Sequence, residues 1–182
     1  MENPYRRNKR EAENMMKTDR TIFTFVTETP LGKIQAAAGN SALTGLWFIG
    51  QKYFPTGTKA WSNKPDHPVF VSLESWLNDY FAKKKPKNLI PLTPAGTDFQ
   101  QAVWKLLLEI PYGKTSTYGA IASRLANAGK KASAQAVGGA VGHNPISLLI
   151  PCHRVLGSDG SLTGYAGGIE KKRALLELEG SL

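Results

Sequence analysis

The sequence predicts an α+β chain of two small domains, a three-stranded antiparallel sheet with one helix followed by a mainly α-helical half. Three observations carry this. Three short apolar runs lie within residues 21–49, separated by turns that contain Gly or Pro. One apolar stripe of helical period comes next, over residues 69–81. Beyond a proline-containing connection near residue 95 the apolar faces are mostly helical again. A length of 182 residues suits one domain or two small ones, and 41% hydrophobic against 20% charged residues is enough to pack a core.

Residues 1–20 carry Arg6, Arg7, Lys9, Arg10, Lys17 and Arg20 beside Glu2, Glu11, Glu13 and Asp19, with almost nothing apolar, and are expected to form a mobile charged tail. Ile22, Phe23, Phe25 and Val26 begin the first strand, Pro30-Leu31-Gly32 turns it, and residues 34–38 make the second. After Gly39-Asn40, residues 43–49 make the third, and connections this tight impose an antiparallel meander. Val69, Leu73, Trp76, Leu77, Tyr80 and Phe81 then share one helix face. Lys83, Lys84, Lys85 and Lys87 around Pro86 read as a solvated helix end. Pro91, Pro94 and Gly96 suit an inter-domain connection, which divides the chain into residues 21–95 and 96–182.

In the second half Phe99, Val103, Leu106, Leu107 and Ile110 form a helix face that Thr97 or Asp98 caps and Pro111-Tyr112-Gly113 ends. Thr117 caps a short helix over 118–126, a loop spans 127–132, and a third helix covers 133–141. Two helices joined in this way resemble a helix-turn-helix. A last helix runs over 169–179.

Composition excludes several functions. One cysteine allows no intramolecular disulfide and no zinc site with two thiolates. No run approaches the roughly 18 apolar residues of a membrane span, and the first twenty residues lack a secretory core, so no membrane partner and a reducing, cytoplasmic setting are expected. The excess of 23 Lys and Arg over 14 Asp and Glu, a formal charge of +9, favours a polyanion such as nucleic acid, though a solvated basic surface gives the same balance.

The single thiol follows an apolar run, Leu148-Leu149-Ile150, within Pro151-Cys152-His153-Arg154-Val155. An ordinary thiol is only a few per cent ionised at neutral pH, so a nucleophile needs cationic or proton-accepting neighbours, and His153 and Arg154 are suitable types. Spacing alone leaves two readings open: a reactive cysteine, or an inert core residue whose neighbours on a strand point the other way.

Asn144-Pro145, the Pro151–Val155 motif, Gly164-Tyr165-Ala166-Gly167-Gly168 and a helix ending Leu178-Glu179-Gly180 together resemble the O6-alkylguanine-DNA alkyltransferases. Phe99–Trp104, Pro111–Thr115, Tyr118–Ala122 and Ala136–Ala140 are similar too, so the likeness covers essentially all of 97–180, whereas 21–95 fits only in element order. The resemblance implies a ribonuclease H-like N-terminal domain and a winged helix-turn-helix C-terminal one. It also implies single-use DNA repair without a cofactor or metal, in which a thiolate takes the alkyl group irreversibly from guanine O6 in duplex DNA, with O4-alkylthymine a further substrate.

By that resemblance Cys152 is the acceptor, His153 the base acting through a water, and Glu179 the acid that orients and charges it. Asn144 connects the recognition helix to the active-site strand. Tyr118 stabilises the departing purine and helps to turn it out of the stack. Val155 and Ala166 offer backbone groups to the base edge, Tyr165 walls the pocket, and Ser158 belongs to the same contact set. Gly138 and Gly139 keep the recognition helix small enough for close approach to the minor groove. A monomer, cooperative on DNA in some members, is implied.

One position departs from the family pattern. Gln135 stands where an arginine usually fills the stack behind the flipped base, and an amide supplies neither the charge nor the broad stacking plane of guanidinium. Lys114, Arg124, Lys130, Lys131 and Arg154 are then the expected sources of phosphate attraction. Two other classes compete: a non-catalytic alkyltransferase-like sensor, which Cys152 argues against, and a cysteine hydrolase pairing Cys152 with a histidine, for which His67 and His143 are available.

Overall fold

The structure, a computed structural model, describes residues 21–87 and 90–182. The charged tail expected at 1–20 lies outside them. Strand β1 (Phe23–Thr29) pairs antiparallel with β2 (Gly32–Ala38), from Phe23 opposite Ala38 to Thr29 opposite Gly32. The reversal needs Gly32, whose φ of 107° is open to few other residues. Strand β3 (Leu43–Phe48) continues the meander against β2, with an irregularity at Ala37 and Ala38. The sheet has a fourth strand that the sequence did not announce, β4 (Ser62–Asn63), parallel to β1. Two residues are too few to show an alternation, and the pairing rests on backbone bonds from Ser62 to Ile22 and from Lys64 to Thr24.

Helix α1 (Pro68–Phe81) starts on a proline, which has no amide hydrogen to lose, and His67 caps it through Nδ1. Its apolar stripe, Val69, Phe70, Leu73, Trp76, Leu77 and Tyr80, is buried. The other edge of the sheet is closed by the connecting segment around Pro91 and by the second half of the chain. Leu43 exchanges backbone bonds with Pro91 and Thr93, and Leu46 with Pro145 and Ser147. An exposed strand edge would be a pairing hazard, and here it docks one half onto the other. Leu43, Leu46 and Ile146 are fully buried, and one continuous core runs from Ile34 to Leu175.

Helix α2 (Asp98–Leu108) opens with a capping box in which Thr97 and Gln100 exchange bonds. Helix α3 (Tyr118–Asn127) is capped by Thr117 and α4 (Ala134–Gly142) by Ser133. The Trp104 indole N–H donates to the Ala140 carbonyl at 2.9 Å and fixes α4 against α2. Helix α5 (Ile169–Glu179) ends at Gly180, whose left-handed φ of 72° stops it. Strands β5 (Ser116–Thr117) and β6 (Val155–Leu156) pair in parallel. The apolar run Leu148-Leu149-Ile150 and Cys152 do not lie on the expected active-site strand: residues 146–150 fold into a turn in which Leu148 adopts φ 70°, and Cys152–Arg154 form one 3-10 turn. Among the described residues no helix is long and apolar enough to cross a membrane.

Candidate active site

The 3-10 turn changes what a neighbouring side chain can do. On a strand, Cys152, His153 and Arg154 would alternate between faces, whereas three residues per turn fan them around one axis. All three are buried. Their position is fixed from the end of α4 by Asn144. Its Oδ1 accepts from the Ile146 amide at 3.0 Å, and its Nδ2 donates to the Ile150 carbonyl at 2.8 Å and to Cys152 Sγ at 3.1 Å. One amide thus ties the helix end, the turn and the sulfur together. Burial pushes the Cys152 thiol up, while the Asn144 bond and the charge of Lys172 pull it down.

Lys172, on α5, is completely buried, and its Nζ donates to the carbonyls of Val155 and Thr163. Burial brings its pKa down to about 8, against which the neighbouring Cys152 acts in the opposite sense. An ammonium held there stabilises a thiolate through space and braces both segments that flank the pocket.

Glu179 lies against His153. Its Oε1 accepts from His153 Nε2 at 2.8 Å, from the Tyr80 hydroxyl at 2.6 Å and from Arg154 Nη2 at 2.9 Å. Its Oε2 accepts from Arg154 Nε at 2.8 Å and from the Gly113 amide at 3.3 Å. Burial opposes ionisation, but the bonds from His153 and Arg154 and the charge of Arg154 prevail, holding this carboxyl well below the usual range. An ionised Glu179 can only accept, so Nε2 carries the histidine proton. Burial lowers the His153 pKa, which leaves the ring neutral with its lone pair on Nδ1. That atom is buried and has no hydrogen-bond partner among the described residues.

The Tyr118 hydroxyl, at the start of α3, donates to the Thr163 carbonyl at 2.8 Å. Tyr118, Ala134, Gly138, Ser158, Thr163 and Gly164 line a concavity of about 540 Å³ together with Gly119. Gly164 is required there, since a Cβ would sit 2.5 Å from the Tyr118 hydroxyl and its φ is 69°. Tyr165 is buried and its ring lies edge-on to His153 at 6.4 Å. Val155 is buried in β6 with its carbonyl bonded to Lys172. The Ala166 carbonyl accepts from the Lys52 amide at 3.0 Å, so a loop of the first domain holds the Gly164–Gly168 segment.

Gln135 is exposed on the first turn of α4. Gly139 is open, and a Cβ at Gly138 would touch the Tyr118 ring at 3.8 Å. Lys114, Lys130 and Lys131 are exposed, and Arg124 is paired with Glu109 at 2.6 Å. Arg154 corrects the expectation of a phosphate contact: it is 9% exposed and spent on Glu179 and on the Ile110 carbonyl. The histidines open to a hydrolase are engaged elsewhere, His67 as the cap of α1 and His143 stacked on Tyr53 at 4.0 Å.

Sequence reasoning missed Tyr80, Gly113 and Lys172. Tyr80 reads as one more aromatic in a core stripe. Lys172 lies in the run Glu170-Lys171-Lys172-Arg173, which looks solvated, yet Lys172, Leu175, Leu176 and Glu179 fall at offsets of 0, 3, 4 and 7 on one buried helix face. That spacing was the available signal.

The chain is similar to known proteins over most of its length. Residues 98–181 match the family model described as the DNA binding domain of 6-O-methylguanine DNA methyltransferase, and residues 22–94 match its ribonuclease-like domain. A methylated-DNA–protein-cysteine methyltransferase of Mycobacterium tuberculosis is 49% identical over 154 residues, 85% of this chain and 90% of that protein. One from Haemophilus influenzae is 43% identical over 152 residues, 83% of this chain and 82% of that protein. The crystal structure of M. tuberculosis OGT in complex with DNA superposes with a TM-score of 0.80 at 46% identity, covering 87% of this chain and 93% of that one.

Proposed function

Because the chain belongs to the 6-O-methylguanine DNA methyltransferase family, we propose that it repairs DNA by moving the alkyl group of O6-alkylguanine onto its own Cys152. The observation that carries this is the thiol held by Asn144 beside a neutral histidine whose Nε2 proton is committed to Glu179. The only basic lone pair of His153 is then on Nδ1, which takes the proton of Cys152 through a bridging water. Sγ attacks the alkyl carbon, the S–C bond forms as the C–O6 bond breaks, and the electron pair leaves with the purine. The purine anion takes one proton from solvent to become guanine, and His153 releases the proton it took, so the step is proton-neutral overall. A thioether has no acidic hydrogen and is not hydrolysed, so each molecule reacts once.

Stabilisation of the leaving purine falls to Tyr118, whose hydroxyl faces the Gly164–Gly168 side of the pocket and can exchange the Thr163 carbonyl for a ring nitrogen. A stacked guanine is out of reach of a buried thiol, so the nucleotide is turned into the concavity beside Tyr118 and Ser158. Approach is by the minor groove, where the small surface of α4 around Gly138 and Gly139 lets the backbones come close and where readout is largely independent of sequence. Gln135 occupies the gap in the stack. We read the protein as a monomer acting in the cytoplasm, with the domain boundary near residue 95.

Intact-protein and peptide mass spectrometry after mixing with a duplex containing one O6-methylguanine tests this reading. One methyl group appears stoichiometrically on the Cys152 peptide, undamaged duplex gives none, and Cys152→Ala binds the damaged duplex without transfer. Binding with an unchanged mass in the unmodified chain identifies a damage sensor instead.

A further inference from the structure

We propose that Tyr80, on the helix of the N-terminal domain, is a positioning residue for the transfer reaction: its hydroxyl holds Oε1 of Glu179 and thereby sets the basicity of His153 from across the domain boundary. The inference rests on the reading of Cys152 as the alkyl acceptor. The 2.6 Å bond from Tyr80 to Oε1 is shorter than the 2.8 Å bond from His153 to the same oxygen, and the Tyr80 oxygen lies 3.4 Å from Nε2. These two donors and Arg154 Nη2 draw on one oxygen, so each weakens the charge that the others meet.

The hydroxyl is held rigidly. Tyr80 is fully buried, its ring is stacked on Trp76 at 5.0 Å with 9° between the planes, and Tyr112 and Phe81 meet it edge-on at 5.9 and 5.4 Å. Burial and the adjacent carboxylate raise its pKa far above the ordinary phenol value, so it remains a donor throughout the working range. Full burial of a phenol needs only one acceptor, and any backbone carbonyl would do. The one chosen is the carboxylate that charges the histidine.

The sign of the effect follows. Glu179 raises the basicity of His153, and the Tyr80 hydroxyl, sharing Oε1 with Arg154 Nη2, moderates that. Without the Tyr80 hydroxyl, Oε1 is more electron-rich, the Nε2–H bond strengthens, and His153 binds a second proton at higher pH. The other groups around the ring stay in place: Arg154 beside it on the turn, Lys172 from α5, Tyr165 from the pocket segment, Cys152 before it, and Tyr112 near Glu179. The N-terminal domain therefore takes part in the chemistry.

The test is the pH dependence of single-turnover methyl transfer to Cys152 by the full chain, read by mass spectrometry. Transfer by the unmodified chain is established first, so that a failure of the acceptor assignment is seen separately. Tyr80→Phe removes one oxygen and keeps the ring on Trp76. Its acid limb is expected to move up by about 0.3–1 pH unit, a twofold to tenfold change in the proton equilibrium, with affinity for the duplex unchanged. Trp76→Phe perturbs the stack alone and leaves the limb in place. Superimposable profiles for Tyr80→Phe and the unmodified chain overturn the proposal, as does an equal shift in Trp76→Phe. If Tyr80→Phe does not fold, 13C NMR of labelled tyrosine in the unmodified chain decides: the Tyr80 resonance tracks the titration of His153, and a Tyr80 signal indifferent to it overturns the proposal.

Discussion

Replacing Glu179 by Gln keeps the shape of the side chain and removes its charge, which makes it the most discriminating perturbation of this site. Five donors converge on the carboxylate: Tyr80, His153, two nitrogens of Arg154 and the Gly113 amide. A carboxamide offers one oxygen and one NH₂. With the oxygen towards His153 and Tyr80, the NH₂ meets Arg154 Nε and the Gly113 amide, donor against donor. With the amide flipped, the same conflict falls on His153. In both cases the Arg154 guanidinium, whose side chain is 11% exposed, loses its counter-charge. Breaking a buried pair from one side costs about 3–5 kcal/mol. At about 2–4 °C per kcal/mol for a chain of this size, Tm falls by roughly 6–20 °C. Urea unfolding with a constant m-value, paired with transfer rates measured well below the new Tm, checks both stability and function. Since the Glu179 pKa is depressed on folding from 4.5, its contribution is complete above that value and is lost as pH falls towards the folded one. The difference between the two proteins is therefore constant from about pH 8 to pH 6 and narrows only below about pH 4. A loss under about 1 kcal/mol at pH 7, the size of an exposed ion pair, refutes the buried-pair reasoning.

Asn144→Ala strips the donor from Cys152 Sγ and leaves the Ile146 amide without its acceptor, at about 1–3 kcal/mol for each buried group. Reactivity of Cys152 towards iodoacetamide should then rise only at higher pH than in the unmodified chain, and an unaltered profile removes Asn144 from the account of the thiol. Lys172→Met deletes the cation near Cys152 and both carbonyl bonds, so methyl transfer slows and its optimum moves to higher pH; an unchanged optimum assigns Lys172 to bracing alone. Gln135→Arg adds a stacking plane and a charge on the exposed first turn of α4. Its affinity for alkylated duplex should increase, and the slope of log K against log salt should steepen by about 0.9 for one more neutralised phosphate. Equal or weaker binding in a salt-matched titration counts against the role given to Gln135.

Legibility differed by element and by residue. Helices α1 and α5 could be bounded from the sequence to within a residue, because a long apolar stripe, Pro68 at one start and Gly180 at one end are local signals. Strand β4 could not, since its pairing is supplied by β1 rather than by its own side chains. The apolar run Leu148-Leu149-Ile150 has the composition of a strand and the structure of a turn. Asn144 intervenes there, taking up the Ile146 and Ile150 backbone groups that a ladder would have used.

For the site, the sequence by itself determined the chemical types and the family: one thiol, an imidazole next to it, a C-terminal carboxylate, and motifs whose joint occurrence has little other explanation. It could not assign Arg154, because burial decides between a phosphate contact and an internal ion pair, and burial is a property of the packed chain. Nor could it reach Tyr80, which is 99 residues from Glu179 along the chain and 2.6 Å from it in space. Only the tertiary structure brings α1, the 3-10 turn and the end of α5 together. Periodicity records which face a residue turns to the core, whereas the partner it meets there depends on how distant elements dock, and that is what sets the charge on His153 and the state of the thiol.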